Sequence, residues 1–288
     1  MTAGTRTAEL TYITTCKGRL AHLKQALPRA VAVGLPCVVV DYSCPEGSAQ
    51  WLEAHFPQTT IVRAEGEAGF HAARARNLGA AAARTPWLAF FDVDVLLEPA
   101  FGDIVVPALT AGHFYRASPV TRQTWGSIIC ARDDFAAVGG YDETYRGWGG
   151  EDDDLIRMLL LSGRRPAHFA ASLVGEISHS DEVRTHFYEI QDLFLQQRIN
   201  HTFMQVKFDM LRLLGKPLPA TERKTVYEQI QTAILTAEDK NRGTPIVIEV
   251  PIPRAVIEGP PTNEGMKQSE FAVLQRKLTY TLTIQRRP

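Results

Sequence analysis

The stretch Pro36-Cys37-Val38-Val39-Val40-Asp41 (PCVVVD) decides the fold class. It is a short, continuous apolar run rich in valine, which is typical of a strand buried on both faces of a parallel sheet. The run ends in an acid. Residues 87–91 (WLAFF) repeat this apolar pattern and are also followed by acids, Asp92 and Asp94. Both stretches therefore predict central strands of one sheet.

Strands and helices alternate along the chain on either side of these two stretches. Hydrophobic periodicity predicts further strands over residues 10–15, 59–63 and 125–131, and helices over residues 20–31, 48–55, 72–83, 151–162, 184–201 and 222–240. Such alternation predicts an α/β fold whose mostly parallel, Rossmann-like central sheet is flanked by helices and joined by right-handed crossovers. The proline-rich tail predicts strands over residues 246–250 and 278–285.

The composition excludes several classes of protein. The chain has 288 residues, of which 45% are apolar and 22% charged, so it is neither disordered nor fibrous. Its 31 basic and 32 acidic residues give a net charge of −1, which argues against a nucleic-acid-binding protein. The four cysteines lack paired spacing, and neither a leader nor a membrane span is recognisable in the sequence. We therefore expect reduced thiols, no transmembrane segment and a cytoplasmic location.

The motif Asp92-Val93-Asp94 directly follows the predicted strand 87–91. In extended backbone, residues two apart point to the same side, so the motif predicts two carboxylates roughly 7 Å apart that face one spot. Ligands bind at the carboxyl ends of the strands in an open parallel sheet. Carboxylates there suit Mg²⁺ or Mn²⁺ and leave coordination positions for substrate phosphates. An acidic pair that merely caps a turn is the simpler interpretation of this motif alone.

Four consecutive acids, Glu151-Asp152-Asp153-Asp154, begin the predicted helix 151–162. The helix macrodipole favours acids in the first turn, but four like charges also repel one another. Asp153 lies one turn before a basic residue, as in a solvated ion pair. Glu151 and Asp152 lie one turn before apolar residues, on the flank that packs inward. We therefore expect Glu151 and Asp152 to be the working pair.

These motifs resemble those of the GT-A glycosyltransferases. The octet GWGGEDDD (residues 147–154) is especially similar to the C-terminal region of the β-1,4-galactosyltransferases, and the DVD motif at residues 92–94 fits the same class. Residues 74–79 (RARNLG) and Val40-Asp41 resemble signatures of family-two glycosyltransferases, although that family often has two adjacent acids where Asp41 is followed by Tyr42. The resemblance covers residues 10 to about 185.

The resemblance implies a GT-A catalytic core over residues 1–183, with a nucleotide-sugar half over residues 1–98 and an acceptor half over residues 99–183. A helical extension (184–242) and a proline-rich tail with β-strands (243–288) would follow the core and could mediate homo-oligomer formation. The implied activity is an inverting, metal-dependent hexosyl transfer from a UDP-sugar to a hydroxyl of a carbohydrate or other acceptor. The β-linked product would form from an α-linked donor.

On the donor side, the resemblance implies that Asp94 binds the metal and that Asp92 lies near the ribose or the metal. Asp41 and Arg76 would contact the uracil base. The residues expected to border the nucleotide come from one segment, and they are Thr14, Thr15, Lys17 and Arg19.

On the acceptor side, the resemblance implies that Asp152 is the catalytic base and that Glu151 holds acceptor hydroxyls. A carboxylate within roughly 3 Å of the attacking hydroxyl could take its proton. Trp148 would lie on a loop that closes over the donor. An aromatic residue in a glycine-rich loop is either a platform for a sugar or an ordinary core anchor, and the sequence leaves both open.

A histidine usually completes the metal site in the related enzymes. His179 is the expected ligand, with His168 and His186 as rivals, and each could instead be an ordinary surface histidine. An imidazole ligand would favour Mn²⁺ over Mg²⁺.

Two alternative functions stay open at this point. A non-catalytic module with the same fold could bind nucleotide sugars or carbohydrates. The strand-end DxD also fits a haloacid-dehalogenase-like phosphatase, although that nucleophile normally follows the first strand of its domain, and here at least three predicted strands precede it.

Overall fold

The structure, a computed structural model, describes residues 7–178, 180–240, 246–251 and 277–282. The chain divides into two compact units between Gln196 and Gln197. The catalytic and acceptor roles that the sequence assigns to parts of the chain stay predictions.

The first unit alternates strands and helices. Its strands are β1 (Leu10–Cys16), β2 (Cys37–Asp41), β3 (Thr60–Arg63), β4 (Trp87–Phe90), β5 (Val95–Leu97), β6 (His113–Ser118), β7 (Ile128–Ala131), β8 (Arg165–Ala170) and β9 (Val174–Glu176). Its helices are α1 (Leu20–Ala32), α2 (Ser48–His55), α3 (Ala72–Ala82), α4 (Phe101–Val105), α5 (Arg132–Ala137), α6 (Glu151–Leu161), α7 (Asp181–Thr185) and the start of α8 (Leu193–Leu214).

Seven of these strands form one sheet in the order β3-β2-β1-β4-β7-β6-β8. The four strands from β3 to β4 are parallel to one another, and β6 is parallel to β8, whereas β7 is antiparallel to both of its neighbours. The predicted α/β fold with a largely parallel central sheet is therefore confirmed. Strands β5 and β9 form a separate two-stranded ribbon.

The apolar run in β2 is explained by burial on both faces of the sheet. Val39 packs into the cluster that contains α1, and Val38 packs into the opposite cluster with Leu155 of α6. Val40 lies in a third cluster with Ala75 of α3. Because side chains alternate across a strand, an interior strand covered by helices on both sides needs apolar residues at every position.

Two predicted elements differ from the structure. The strand expected over residues 125–131 begins only at Ile128, because Trp125 and Gly126 form a turn before it. The helix expected over residues 184–201 is interrupted. Helix α7 ends at Thr185, and α8 starts after Asp192, whose carboxylate Oδ1 accepts the N–H groups of the next helical residues at 2.9 and 3.1 Å and so begins a new helix.

The second unit contains the rest of α8, helix α9 (Ala220–Lys240) and an antiparallel pair formed by β10 (Ile246–Pro251) and β11 (Lys277–Leu282). Within this unit, Tyr227 donates a hydrogen bond to Asn200 Oδ1 at 2.8 Å and joins the two helices. The predicted strands at 246–250 and 278–285 are confirmed where the structure describes them. In the described part of the chain, no helix combines the length and the apolar character that crossing a membrane requires.

Candidate functional site

The candidate site lies where β1, β2 and β4 end, beside the start of helix α6. Arg76, in the middle of α3, is buried there among three carboxylates. Its Nη2 lies 2.8 Å from Asp92 Oδ1, and its Nη1 lies 3.0 Å from Glu151 Oε1 and 3.2 Å from Asp152 Oδ1. The structure therefore brings the strand-end acids and the helix-start acids together around one guanidinium.

The charges of this cluster control one another's ionisation. Burial raises the pKa of Asp152 to about 8, and the negative charges of Glu151 and Asp92 add to the effect against the opposing charge of Arg76. Burial also acts on Asp92, but there the charges of Arg76, Arg19 and Arg184 dominate and lower the pKa. The pKa of Arg76 rises because the surrounding carboxylates outweigh its burial. Asp152 is consequently the carboxyl best suited to exchange a proton near neutral pH.

The backbone at the DVD motif turns, so the prediction of extended strand at this motif is wrong. The N–H of Val95 donates to the carbonyl of Asp92 at 3.0 Å and closes a turn over these four residues. Val93 is buried in the core. The Asp92 side chain is 35% exposed, whereas that of Asp94 is 3% exposed and lies 3.7 Å from the guanidinium of Arg19. The two acids thus differ in their exposure.

The four acids that start α6 fall into three environments. Glu151 and Asp152 face Arg76, as the inward flank predicts. Asp153 accepts a hydrogen bond from the indole of Trp125 at 3.0 Å. Asp154, which the sequence did not single out, is 1% exposed and accepts the hydroxyl of Tyr145 at 3.0 Å.

Within the described part of the chain, two buried oxygens of this quartet lack a hydrogen-bond partner, Glu151 Oε2 and Asp152 Oδ1. Asp152 Oδ1 still lies within ion-pair distance of Arg76, at 3.2 Å. Buried carboxylate oxygens are almost always hydrogen-bonded, so Glu151 Oε2 offers an acceptor to a ligand.

Local hydrogen bonds hold Lys17, predicted to border the nucleotide, and Asp41, predicted to contact the uracil base. Lys17 Nζ donates to three backbone carbonyls, those of Tyr42, Ser43 and Glu67, at 2.6–3.3 Å. The carboxylate of Asp41 accepts the N–H of Cys44 at 2.9 Å, and it also accepts the hydroxyl and the N–H that begin helix α2, both at 2.7 Å. Both side chains fix the loops that follow β1 and β2.

The other predicted donor-side residues of the first loop lie close to the strand-end acids. Thr14 is buried and Thr15 is half-buried near the end of β1. Arg19 follows that strand and reaches Asp94, and its Nη2 also donates to the carbonyl of Val183 at 3.4 Å.

Trp148 lies in the glycine-rich loop before α6 and is half-buried. The guanidinium carbons of Arg122 and Arg184 lie 5.7 and 5.8 Å from its ring centroid, within the range of cation–π contacts. Its backbone N–H donates to the side chain of Gln196. The contacts with two arginines indicate a cationic surrounding that the sequence did not predict for this loop.

His179, the expected metal ligand, lies outside the described residues. The two alternative candidate ligands are both exposed. His168 lies on β8, and the ring of His186 makes an edge-to-face contact with Phe187. Among the residues that the structure describes, no three His, Cys, Asp or Glu side chains gather in a way that could hold a metal ion.

Two models of known families match overlapping parts of the chain. Glycosyl transferase family 2 matches residues 36–124, and the N-terminal domain of galactosyltransferase matches residues 108–183. Beta-1,4-galactosyltransferase 1 of Mus musculus is 26% identical over 189 residues, which make up 61% of this chain and 46% of that relative. The chain thus spans less than half the length of this curated relative.

Solved glycosyltransferase structures share the fold. The mannosyltransferase PcManGT from Pyrobaculum calidifontis, in complex with GDP-Man and Mn²⁺, has a TM-score of 0.50 and 16% identity, and the match covers 81% of this chain and 76% of that one. S. aureus TarS has a TM-score of 0.54 and 12% identity over 81% of this chain and 44% of its own. A complex of TarS 1-349 with UDP has a TM-score of 0.52 and 12% identity over 81% and 72%. Together with the family models, these matches confirm the resemblance drawn from the sequence.

Proposed function

We propose, from the premise that this chain is a glycosyltransferase of the GT-A type similar to family 2, that it transfers a hexose from a UDP-sugar to an acceptor hydroxyl with inversion. The observation that supports this most is the contact of Arg76 with both Asp92 and Asp152. It joins the side of the site assigned to the donor to the side assigned to the acceptor. A single base with in-line attack on the anomeric carbon gives inversion.

Asp152 is the proposed base. An acceptor hydroxyl must lose its proton as it attacks, and a base is most effective when its pKa is close to the working pH. The raised pKa of Asp152, about 8, meets this condition. Glu151 is proposed to hold the acceptor through its free, buried Oε2.

The donor's diphosphate is proposed to lie over the DVD turn. Asp94 and Asp92 supply the hard oxygen ligands that Mg²⁺ and Mn²⁺ prefer, and such ions keep positions for substrate phosphates. The described side chains alone do not complete a metal shell, which fits an ion shared with the substrate, with His179 as the proposed further ligand. Bound there, Mn²⁺ or Mg²⁺ would neutralise charge on the leaving diphosphate.

The arginines around this turn suit an anionic donor. Arg19 lies against Asp94, and Arg184 contributes to the low pKa of Asp92. Arg122 joins Arg184 at Trp148, whose loop is proposed to close over the donor. Closure would exclude the water that otherwise hydrolyses a sugar nucleotide.

The contacts of the first loops refine the proposed nucleotide site. Thr14, Thr15, Lys17 and Asp41 are proposed to form its wall. Lys17 and Asp41 would act mainly through the backbone that they fix, since their polar atoms already have several partners. Arg76 is proposed to pair with the carboxylates of Asp92, Glu151 and Asp152 rather than to contact the uracil base.

Nucleotide release with a panel of UDP- and GDP-sugars, Mn²⁺ and mixed glycoside acceptors tests the proposal. UDP release that needs both donor and acceptor supports it. Binding without turnover would indicate a binding module, and phosphate release from phosphomonoesters would indicate a phosphatase. Asp94→Ala should abolish Mn²⁺-dependent stabilisation by UDP in a thermal-shift assay, whereas Glu53→Ala, at an exposed site on α2, should not.

Self-association through the extension and the tail remains a separate hypothesis. Deleting residues 243–288 tests it by light scattering. An unchanged mass together with unchanged turnover would reject any role of the tail in assembly.

A further inference from the structure

Trp125 is a large aromatic residue in the turn before β7, and it is 46% exposed. Neither the sequence motifs nor the proposed donor site uses it. An exposed tryptophan is common on binding surfaces because its flat, amphipathic ring gives a large contact area at a low cost in conformational entropy.

Three contacts fix the ring next to the proposed base. Its indole N–H donates to Asp153 Oδ1 at 3.0 Å, and Asp153 directly follows Asp152 in α6. The carbonyl of Trp125 accepts a hydrogen bond from Arg116 Nη2 at 2.9 Å. The guanidinium carbon of Arg116 lies 4.7 Å from the ring centroid and covers one face. The exposed part of the ring is thereby held in one orientation.

The residue after Trp125 connects the turn to the carboxylate cluster. Gly126 lies so close that an added Cβ would come within 2.9 Å of Asp152 Oδ2 and 3.1 Å of Arg76 Nη2. The backbone beside the indole therefore packs directly against the proposed base. The indole thus belongs to the residue next to the backbone that packs against this carboxylate.

We infer that Trp125 is the platform on which the pyranose ring of a carbohydrate acceptor stacks while its hydroxyl reaches Asp152. This inference rests on the proposed transferase function and narrows the acceptor to a sugar. The electron-rich face of an indole attracts the weakly positive C–H groups of a pyranose face. The buried Glu151 Oε2, which lacks a hydrogen-bond partner among the described residues, accepts a hydroxyl of the same sugar.

Kinetics with variants at this position test the inference. The variants are Trp125→Ala and Trp125→Phe, and the matched control is Phe194→Ala, which removes another exposed aromatic residue of the first unit. With methyl β-glycosides of glucose, galactose, N-acetylglucosamine and xylose as acceptors, Trp125→Ala should raise the acceptor KM about tenfold, equivalent to about 1.4 kcal/mol. Its donor KM and its slow donor hydrolysis should not change. Trp125→Phe should recover most of the loss, since it keeps an aromatic face, and Phe194→Ala should behave as wild type.

A binding measurement separates this inference from the proposed function. The same glycosides, added together with UDP and Mn²⁺, should change the tryptophan fluorescence of the wild type and not that of Trp125→Phe. If the wild type transfers sugar but Trp125→Ala keeps the wild-type acceptor KM, the role of Trp125 as a platform is contradicted and the transferase function is supported. Glycoside binding without any transfer would contradict the proposed transferase function but would still support Trp125 as the binding platform. The absence of both glycoside binding and a KM effect would overturn the inference.

Discussion

Arg76 Nη1 lies 3.2 Å from Asp152 Oδ1, although the two residues are far apart in the sequence. The guanidinium comes from the middle of α3 and the carboxylate from the first turn of α6. Asp152 is therefore stabilised as an anion by one buried cation and disfavoured as an anion by burial and by three neighbouring carboxylates. This balance decides when Asp152 can act as a base, and several expectations follow from it.

The rate of transfer should depend on a group with a pKa near 8. The base must be deprotonated, and burial raises the pKa of Asp152 to about 8. The value of kcat/KM for the acceptor should therefore fall about tenfold per pH unit well below 8 and level off above it. Measurements of nucleotide release between pH 6 and pH 10 check this. A flat profile over that range would contradict the assignment.

Asp152→Asn should keep donor binding and lose transfer. An amide cannot take the proton, and removal of a general base typically costs a factor of about 10² to 10⁴. UDP-induced thermal stabilisation and UDP release, measured on the same sample, separate the two effects. Asp133→Asn is the control, because Asp133 is an exposed acid on α5. Normal turnover of Asp152→Asn would remove this residue from the mechanism.

Arg76→Gln should shift the pH profile to higher pH and destabilise the protein. Without the guanidinium, the opposing charge that holds down the pKa of Asp152 is lost. Breaking a buried ion cluster by removing one partner costs about 3–5 kcal/mol. Urea unfolding and the pH profile of residual activity measure the two effects. Arg76→Lys should recover the charge but not all three contacts, because an ammonium cannot reproduce the planar fork of arginine. Arg132→Gln, at an exposed arginine, is the matched control.

The sequence predicted the main parts of the fold and of the site for identifiable reasons. The run in β2 is apolar at every position because both faces are covered, and such a pattern is local. The inward flank of α6 was also predictable, because helical periodicity places Glu151 and Asp152 above apolar residues. Periodicity extends no further than one element, and so it could not connect Arg76 with Glu151, which are 75 residues apart.

Two other features depend on local backbone conformations that the sequence pattern does not predict. The apolar run before the DVD motif predicts extended strand through the motif, whereas a hydrogen bond from the Val95 N–H to the Asp92 carbonyl closes a turn there. Hydrophobic periodicity predicts a strand at Trp125, yet the residue lies in a turn, where its indole donates a hydrogen bond to Asp153. In both cases a specific hydrogen bond overrode a general preference.

Asp41→Ala should destabilise the protein by about 1–3 kcal/mol, because it leaves buried donors at the start of α2 without their acceptor. Urea unfolding measures this change, with Glu53→Ala at an exposed position of α2 as the control. The same variant distinguishes a supporting from a contacting role. At a temperature where it is fully folded, its UDP affinity should stay within about threefold of wild type. A loss of tenfold or more would instead favour a direct contact between Asp41 and the base.

Gly79→Ala should weaken the packing of α3 on the sheet. Alanine has the better helix propensity, by about 1 kcal/mol, but its Cβ would come within 2.5 Å of Ile13 Cγ2 in β1. Overpacking of this kind costs about 1–3 kcal/mol, so the net effect on the free energy of unfolding should be a loss. Gly175→Ala is the matched control, because its nearest neighbour would be 3.5 Å away. Equal free energies of unfolding for Gly79→Ala and Gly175→Ala would mean that β1 and α3 can move apart without a loss of stability.

Cys44 should be the most reactive thiol at mildly acidic pH. The pKa of Cys44 is lowered to about 5, mainly by the hydrogen bond from the Cys16 thiol, which lies 3.9 Å away. Hydrogen bonds from Ser48 and from the Gly18 N–H lower the pKa further, whereas burial opposes the shift. Burial raises the pKa of Cys37 to about 12, so that thiol stays protonated. Alkylation by iodoacetamide at pH 6, followed by peptide mass spectrometry, should therefore modify Cys44 well before Cys37.

The Cys16→Ala variant tests the cause of this reactivity. Without the Cys16 hydrogen bond, the pKa of Cys44 should rise. Alkylation should therefore slow more at pH 6 than at pH 9, where a larger share of the variant carries the thiolate. Cys37→Ala, which removes a buried thiol that donates to the carbonyl of Leu35, should leave the rate unchanged at both pH values. If Cys44 in the wild type reacts only above pH 8, its thiolate is not stabilised by Cys16, and the loop after β2 is arranged differently around Asp41.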